Sequence, residues 1–171
     1  MINQFLANLK NGVRSNRFEC VITFPSYAGG SDESRATAFM VTAASLPSQN
    51  MGTIEQKYMG RVLKIPGDRT YEEWNCTVLN DGDMSLHTAF TKWQNGINSF
   101  NSNIMPDISD MYSQVEIHQL NTKGERIKSQ TIKLAYPTTV GAVELSHENS
   151  DTLSTFEVTF AYSDIDNGSS T

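Results

Sequence analysis

The stretch Gly67-Asp68-Arg69-Thr70-Tyr71-Glu72-Glu73-Trp74 joins two segments that both have the pattern of β-strands. Ahead of it, residues 53–58 and 61–65 flank Met59-Gly60, where Gly60 can adopt the positive φ of a tight turn. Behind it, residues 74–79 alternate between apolar and polar side chains, as in a strand with one buried face. The stretch therefore predicts a corner between an antiparallel hairpin and a half-buried strand.

An amphipathic helix is predicted directly after this strand. Residues 80–83, Asn-Asp-Gly-Asp, interrupt the strand pattern and offer side-chain oxygens that can cap a helix. Apolar residues then recur at the spacing of one helical face over residues 84–97: Leu86, Ala89, Phe90, Trp93 and Ile97.

The rest of the chain is read mainly as short strands. Strands are predicted over residues 18–24, 38–44, 112–120, 126–134 (ending at 135–137), 143–146 and 155–162. A short helix is predicted over residues 3–11, and polar loops over 28–35 and 98–110. This pattern indicates one mainly β domain over residues 1–171, which is an antiparallel sandwich or barrel with a flanking helix. The domain includes an N-terminal segment (1–16) and a loose C-terminal tail (163–171).

The amino-acid composition makes several classes of function improbable for this chain. The chain has 171 residues, 38% of them hydrophobic and 19% charged, which is typical of a globular domain. Its net charge of −6 argues against a protein that binds nucleic acid by neutralising phosphates. An acidic surface would still allow nucleic acid to pass along it without binding. No apolar run reaches the roughly 20 residues that span a bilayer, and the first residues lack a signal-peptide pattern, so we expect a soluble protein made in the cytoplasm.

No residue pattern points to an enzymatic or metal site. The histidines His87, His118 and His147 are far apart, and we expect His118 to be solvated on the polar face of its strand and His87 to face solvent. Glu72 and Glu73 should point to opposite faces of a strand, so they cannot act as an acid–base pair. Cys20 and Cys76 are predicted to be buried free thiols, and the Asp164/Asp166 pair lies in the predicted tail. We therefore predict no catalytic residue, cofactor or metal.

Five motifs, in this order, resemble the tail tube protein family of contractile-tailed bacteriophages, and the resemblance extends from about residue 18 to residue 162. They are Gly67 to Trp74, Val78-Leu79-Asn80-Asp81, Phe90-Thr91-Lys92-Trp93-Gln94, Tyr136-Pro137-Thr138-Thr139-Val140-Gly141 and Thr155-Phe156-Glu157-Val158-Thr159-Phe160.

The resemblance implies a structural virion protein, made in the host cytoplasm. Hexameric rings would join their sheets into a continuous inner β-barrel and stack into a tube inside a contractile sheath. The implied partners are other copies of the chain, the tail sheath protein, baseplate and tail terminator proteins, and a tape measure protein in the lumen during assembly. Double-stranded DNA would pass through without specific binding, and no membrane insertion is expected.

Three sets of residues are predicted to serve the assembly. The first set is structural, with Asp68 and Arg69 fixing the corner by hydrogen bonds or an ion pair within or between subunits: Gly60, Gly67, Asp68, Arg69, Trp74 and Trp93. The second set lines a neutral to acidic lumen, because the opposite apolar face is expected to cover a core: Thr53, Glu55 and Lys57. The third set, on the polar side of the helix, faces the sheath: Asp83, His87 and Lys92.

Two other interpretations remain compatible with the sequence, the first within the same structural class and the second from another class. One is a paralogue at the junction of tube and baseplate, or the needle-tube protein of a bacterial contractile secretion system. The other is a small soluble β-sandwich binding module, which would need an exposed aromatic platform. Trp74 and Trp93 both fall on apolar faces, which favours the core over such a platform.

Overall fold

The computed structural model describes residues 2, 4, 8, 12–99, 105–146 and 152–168. The strands within these ranges are β1 (Phe18–Ile22), β2 (Val41–Ala44), β3 (Gln49–Tyr58), β4 (Arg61–Tyr71), β5 (Trp74–Leu79), β6 (Ser113–Leu120), β7 (Arg126–Val140), β8 (Thr155–Ala161) and β9 (Asp164–Gly168). The helices are α1 (Ser31–Met40), α2 (Ser85–Ile97) and α3 (Ile108–Met111). The helix predicted over 3–11 falls mostly outside the described residues.

Two antiparallel sheets share strand β7. Residues 126–135 of β7 pair with β6, residues 129–133 also pair with β9, and β6 pairs with β1; we call these strands sheet A. Residues 136–140 of β7 pair with β8, which continues to β5 and β2; these form sheet B. Leu134, with a φ of 53°, marks the point where β7 passes from one sheet to the other. Buried side chains from both sheets belong to one core, so the sheets pack as the predicted sandwich.

Helix α2 closes the core with aromatic side chains. Asp81 starts the helix by accepting hydrogen bonds from the amide and the hydroxyl of Ser85, at 2.9 and 2.6 Å. The predicted stripe is buried at Leu86, Ala89, Phe90 and Trp93. The Phe90 ring lies at 4.9 Å from the ring of Phe24 and at 6.0 Å from those of Phe156 and Phe160. In the described ranges, no helix is long and apolar enough to cross a membrane.

The region predicted as a polar loop (28–35) followed by a strand (38–44) is largely helix α1. Its first turn carries Asp32 and Glu33, and the Glu33 carboxylate accepts a hydrogen bond from the Gly30 amide at 2.7 Å. The buried Thr37 hydroxyl accepts a hydrogen bond from the amide of Ile22 at 2.9 Å. This contact holds α1 against the end of β1 and leaves only residues 41–44 for the strand.

Three predictions for the C-terminal half are wrong. Strand β7 does not end at residues 135–137 but continues to Val140, because Pro137 lies on the outer strand of sheet B, where a missing N–H is tolerated. Residues 143–146 are not a strand. Residues 164–168 of the predicted loose tail form β9, where Ile165 is buried and Asp166 pairs with Lys133 at 2.8 Å.

The two described histidines are less exposed than predicted. His118 is only 4% exposed because it lies between Glu19 and Ser129 on neighbouring strands, with its Nδ1 at 2.9 Å from the Ser129 hydroxyl. His87 is half-buried, and its ring packs edge-on against Phe156 at 5.2 Å. His147 lies outside the described residues.

Cys20 and Cys76 are free and buried, as predicted. Burial raises the pKa of Cys20 to about 12 and also raises the pKa of Cys76. We therefore expect neither thiol to react with a water-soluble disulfide reagent near neutral pH in the folded protein, and both to react after denaturation. Rapid modification of either thiol without denaturant would show that the core opens far more readily than this packing implies.

Candidate assembly surface

The hairpin of β3 and β4 is the largest part of the described structure that stands apart from the sandwich. Met59 and Gly60 form its two-residue turn with φ values of 47° and 77°, which match the left-handed region predicted at Gly60. The strands are ten and eleven residues long, so the hairpin extends well beyond the predicted 53–65. Strands of about ten residues reach roughly 33 Å, long enough to extend onto a neighbouring molecule.

One face of this hairpin is apolar and open to solvent. Ile54 lies opposite Ile65, and Gln56 lies opposite Leu63. The exposed fractions of the large apolar side chains on this face are 56% for Ile54, 70% for Tyr58, 61% for Leu63 and 42% for Ile65. The expectation that this face covers a core of its own chain is therefore wrong. We call these four residues the apolar hairpin face.

The opposite face carries the residues predicted to line the lumen. Thr53, Glu55 and Lys57 do share this face, and they lie opposite Pro66, Lys64 and Val62, respectively. The Lys64 ammonium is 3.8 Å from the Glu55 carboxylate, and both side chains are largely exposed. Two lysines and one glutamate make this hairpin face slightly basic, contrary to the expected neutral or acidic surface.

Gly67 is required by a close approach between the two strands. The register shifts between Met51 and Thr53, so β4 carries an extra residue there. A Cβ at Gly67 would lie 3.2 Å from the backbone of Gly52, and a Cβ at Gly52 would lie 3.2 Å from the carbonyl oxygen of Asp68. These glycines let the hairpin bend near its base.

Asp68 and Arg69 do not fix the corner within the subunit. Both are exposed, and neither side chain has a hydrogen bond or ion pair in the described part of the chain. Their predicted structural role can therefore come only from contacts between subunits.

We expect Asp68→Ala to leave the free energy of unfolding unchanged within about 0.5 kcal/mol, because an exposed, unpaired side chain contributes little. The same substitution should weaken self-association, measured by sedimentation velocity. Asp107→Ala, which removes another exposed carboxylate, is the matched control. Equal association of the two variants would remove Asp68 from the assembly surface.

The base of the hairpin is attached to the sandwich by side chains of the Gly67–Trp74 motif. The rings of Tyr71 and Tyr162 lie 5.5 Å apart, and the Tyr71 hydroxyl donates a hydrogen bond to Asp164 at 3.4 Å. Burial is the largest cause that raises the pKa of Tyr162, and the nearby Tyr71 and Glu72 raise it further. These contacts set the direction in which the hairpin leaves the domain.

Glu72 and Trp74 complete this attachment. Glu72 lies between β4 and β5, and its carboxylate accepts a hydrogen bond from the Asn50 side chain at 2.6 Å. Trp74 is buried, and its indole donates to the Ser45 carbonyl at 2.6 Å. Trp93 is also buried, and its indole donates to the Met111 carbonyl at 3.0 Å. Both tryptophans therefore belong to the core, not to an exposed aromatic platform.

The residues predicted to face the sheath lie on helix α2 or just before it. Asp83 is exposed two residues before α2 and Lys92 is exposed in the middle of this helix, whereas His87 is half-buried. Glu33 of α1 lies near Lys92. The pKa of Glu33 is lowered by hydrogen bonds from the backbone amides of Glu33 and Gly30, and the charge of Lys92 lowers it further. Helices α1 and α2 thus present one mixed-charge surface. No cluster of three or more potential metal ligands occurs among the described residues.

The sequence model of the family described as phage tail tube protein matches residues 13–165. A tail tube protein of Serratia phage KSP90 is 27% identical over 165 residues, covering 94% of this chain and 93% of that protein. Tail tube protein gp19 of Enterobacteria phage T4 is 27% identical over 125 residues, covering 72% of this chain and 77% of that protein.

Solved structures share the same fold. A chain of the six-fold symmetrised anti-feeding prophage baseplate superposes with a TM-score of 0.62 at 14% identity, covering 90% of this chain and 93% of its own. A chain from the extended sheath–tube complex of a PVC extracellular contractile injection system gives a TM-score of 0.60 at 18% identity, with 95% of both chains covered.

Proposed function

We propose, from the premise that this chain belongs to the phage tail tube protein family, that six copies close into a ring and that rings stack into the inner tube of a contractile tail. The chain is a structural component of the virion and not an enzyme.

The observation that carries the proposal is the apolar hairpin face. Ile54, Tyr58, Leu63 and Ile65 lie on a two-stranded sheet that pairs with no other strand of the described structure, and these side chains are 42% to 70% exposed. A long, exposed apolar hairpin is an aggregation hazard in a monomer, and neither of its edges pairs with another strand in the ranges that the structure describes. A neighbouring copy of the chain would cover the face and satisfy the edges.

A ring follows from repeating this contact. A hairpin that docks on a different surface of its neighbour forms a head-to-tail contact, and such contacts close into a ring when the rotation allows it. The six-fold symmetrised baseplate that contains a chain of this fold supports six subunits. Obligate interfaces of this kind commonly bury about 2,000 Å² or more.

The partners follow from the assemblies in which chains of this fold occur. A sheath–tube complex, a sheath/tube terminator and a tube-terminating cap support contacts with sheath and terminator proteins, and the baseplate supports a contact at the tube end. A tape measure protein would occupy the lumen during assembly. Double-stranded DNA would later pass through it without specific binding, consistent with the net charge of −6.

The flank formed by α1 and α2 is the proposed sheath contact. Lys92→Glu should weaken sheath binding while leaving bare tubes intact, because it changes an exposed charge without touching the core. Exposed ion pairs contribute about 0.2–1 kcal/mol each, and every ring repeats the change. Co-sedimentation with purified sheath protein measures this, with Lys123→Glu on the β6–β7 turn as the matched control. Loss of the tubes in Lys92→Glu would show that the helix lies in the tube interface.

A second candidate is a tube-like protein at the junction with the baseplate. The similarity to a chain of a baseplate structure favours it. A junction protein would form a single ring that adds to a pre-existing tube, whereas a main tube protein polymerises by itself.

Sedimentation velocity over a wide range of concentrations tests the proposed function. The proposal predicts monomers and rings at low concentration and much larger species at high concentration. Rings that never grow would favour the junction protein. A monomer at every concentration would contradict both.

A further inference from the structure

Helix α1 carries an exposed aromatic side chain that does not pack in the core. Phe39 is 83% exposed, more than any other aromatic residue that the structure describes. Arg35 lies one turn before it on the same side of the helix and is also exposed. The Arg35 side chain has no hydrogen bond or ion pair among the described residues. We call Arg35 and Phe39 the α1 outer face.

The α1 outer face points away from the core and from helix α2. The other side of α1 is bound to the end of β1, because the hydroxyls of Ser34 and Thr37 accept hydrogen bonds from the backbone amides of residues 24 and 22, at 3.1 and 2.9 Å. Glu33, which lies near Lys92 of α2, is about 200° around the helix from residue 35. The α1 outer face is therefore separate from the surface that α1 and α2 share.

The apolar hairpin face has an acidic residue at its base. Strand β4 carries an extra residue where Gly67 and Asp68 lie opposite Gly52. Because Gly52 shares its side of β3 with Ile54, Asp68 lies beside the apolar hairpin face. A Cβ at Gly67 would lie 3.4 Å from the Ile54 side chain, so the acid and this apolar side chain are close neighbours. The Asp68 carboxylate has no partner in the described part of its own subunit.

The α1 outer face and the base of the hairpin are complementary. Each has one unpaired charge beside an exposed apolar side chain, and the two charges are opposite in sign. The guanidinium of an arginine can bind a carboxylate through two parallel hydrogen bonds. Arginine and large aromatic side chains are also the residues that contribute most to the affinity of protein interfaces. Phe39 and Ile54 are both exposed in the subunit, so neither covers the other within one chain.

The α1 outer face also lies beside an open strand edge. Helix α1 ends at Met40 and is followed at once by β2, which pairs with β5 alone among the described strands. The edges of the hairpin have no strand partner in these ranges either. A neighbouring hairpin that covered Phe39 would therefore have backbone groups of β2 within reach.

We infer that the α1 outer face receives the apolar hairpin face of the neighbouring copy in the ring, with Arg35 bound to Asp68 and Phe39 packed against Ile54 and Ile65. This inference rests on the proposed ring. The contact is head-to-tail, because the helix and the hairpin are different surfaces of the chain. It gives Asp68 the partner that its own subunit lacks and removes Phe39 from solvent.

Reversal of the two charges tests the ion pair. Asp68→Lys and Arg35→Glu should each raise the concentration needed for half-maximal ring formation by about ten-fold or more, because like charges would meet in the interface. The double variant Asp68→Lys/Arg35→Glu should return to within about three-fold of the unsubstituted protein. Asp68→Lys/Arg14→Glu, which reverses a different exposed arginine, is the matched control and should not recover. Sedimentation velocity measures assembly, and circular dichroism confirms that each variant is folded.

The remaining outcomes separate this inference from the proposed function. Normal assembly of both single variants would show that Asp68 and Arg35 lie outside the interface. Weaker assembly of both single variants without recovery in the double variant would show that the two residues do not face each other. In both cases the ring formed by the unsubstituted protein would still stand. Failure of the unsubstituted protein to form rings would refute the proposed function, and this inference with it.

Cross-linking tests the apolar half of the contact without changing a charge. In Phe39→Cys/Ile54→Cys, a short bismaleimide should join neighbouring subunits and give a ladder on a denaturing gel that ends at six subunits. Phe39→Cys/Val62→Cys, with its second cysteine on the opposite face of the hairpin, is the control and should give much less product. The native thiols are buried and should not react. Equal cross-linking of the two variants, or a ladder that continues past six, would show that Phe39 does not face Ile54 of a neighbour within the ring.

Discussion

Simultaneous replacement of Ile54 and Ile65 by serine should give a folded protein that no longer assembles. The two side chains lie directly opposite each other at the centre of the apolar hairpin face, and both are about half exposed in the subunit. They contribute little to the stability of the isolated chain, so the free energy of unfolding should change by no more than about 0.5 kcal/mol for each substitution. Burial of an aliphatic side chain in an interface is worth about 1.5–3 kcal/mol, and every subunit contact would lose two such side chains.

Sedimentation velocity and circular dichroism together measure this effect. Val62→Ser, on the opposite face of the same hairpin, is the matched control and should still assemble. Tubes formed normally by the Ile54/Ile65 variant would mean that the apolar hairpin face is not the contact between subunits. Loss of the folded signal would mean instead that this face stabilises the subunit itself.

The second large effect is expected in the aromatic core. Phe90→Ala should lower the free energy of unfolding by about 3–5 kcal/mol, because it leaves a cavity among closely packed rings. The Phe90 side chain is fully buried and contacts the rings of Phe24, Phe156 and Phe160. A loss of this size is a large part of the 5–15 kcal/mol that stabilises a typical domain.

Urea unfolding followed by tryptophan fluorescence measures the change. Phe39→Ala is the matched control, because Phe39 is 83% exposed at the end of α1 and its loss should cost little. Similar destabilisation by the two substitutions would contradict the packing of α2 described above.

The parts of the fold that were predictable have strong local patterns. Strand β5 and helix α2 were found within one residue of their bounds, because each buries one face and its periodicity is visible in the sequence. The turn at Gly60 was found because a two-residue hairpin needs a positive φ there. The family was also visible in the sequence, since its motifs occur in order along most of the chain.

The parts that were missed depend on contacts distant in sequence. Helix α1 has few apolar residues and is held through Thr37 against β1, although Ser31, Asp32 and Glu33 after Gly30 did signal a helix start. Strand β9 forms because Ile165 joins the core and Asp166 pairs with Lys133. For the assembly surface, the sequence identified the motif at residues 67–74. It could not show that the apolar hairpin face is uncovered, because that depends on where the hairpin projects.

Cryo-electron microscopy of the purified protein at high concentration tests the central claim most directly. We predict six-fold rings that stack into hollow tubes, with the hairpin of each subunit packed against its neighbour. Isolated monomers at every concentration, or filaments without a central channel, would contradict the claim that this chain builds a tail tube.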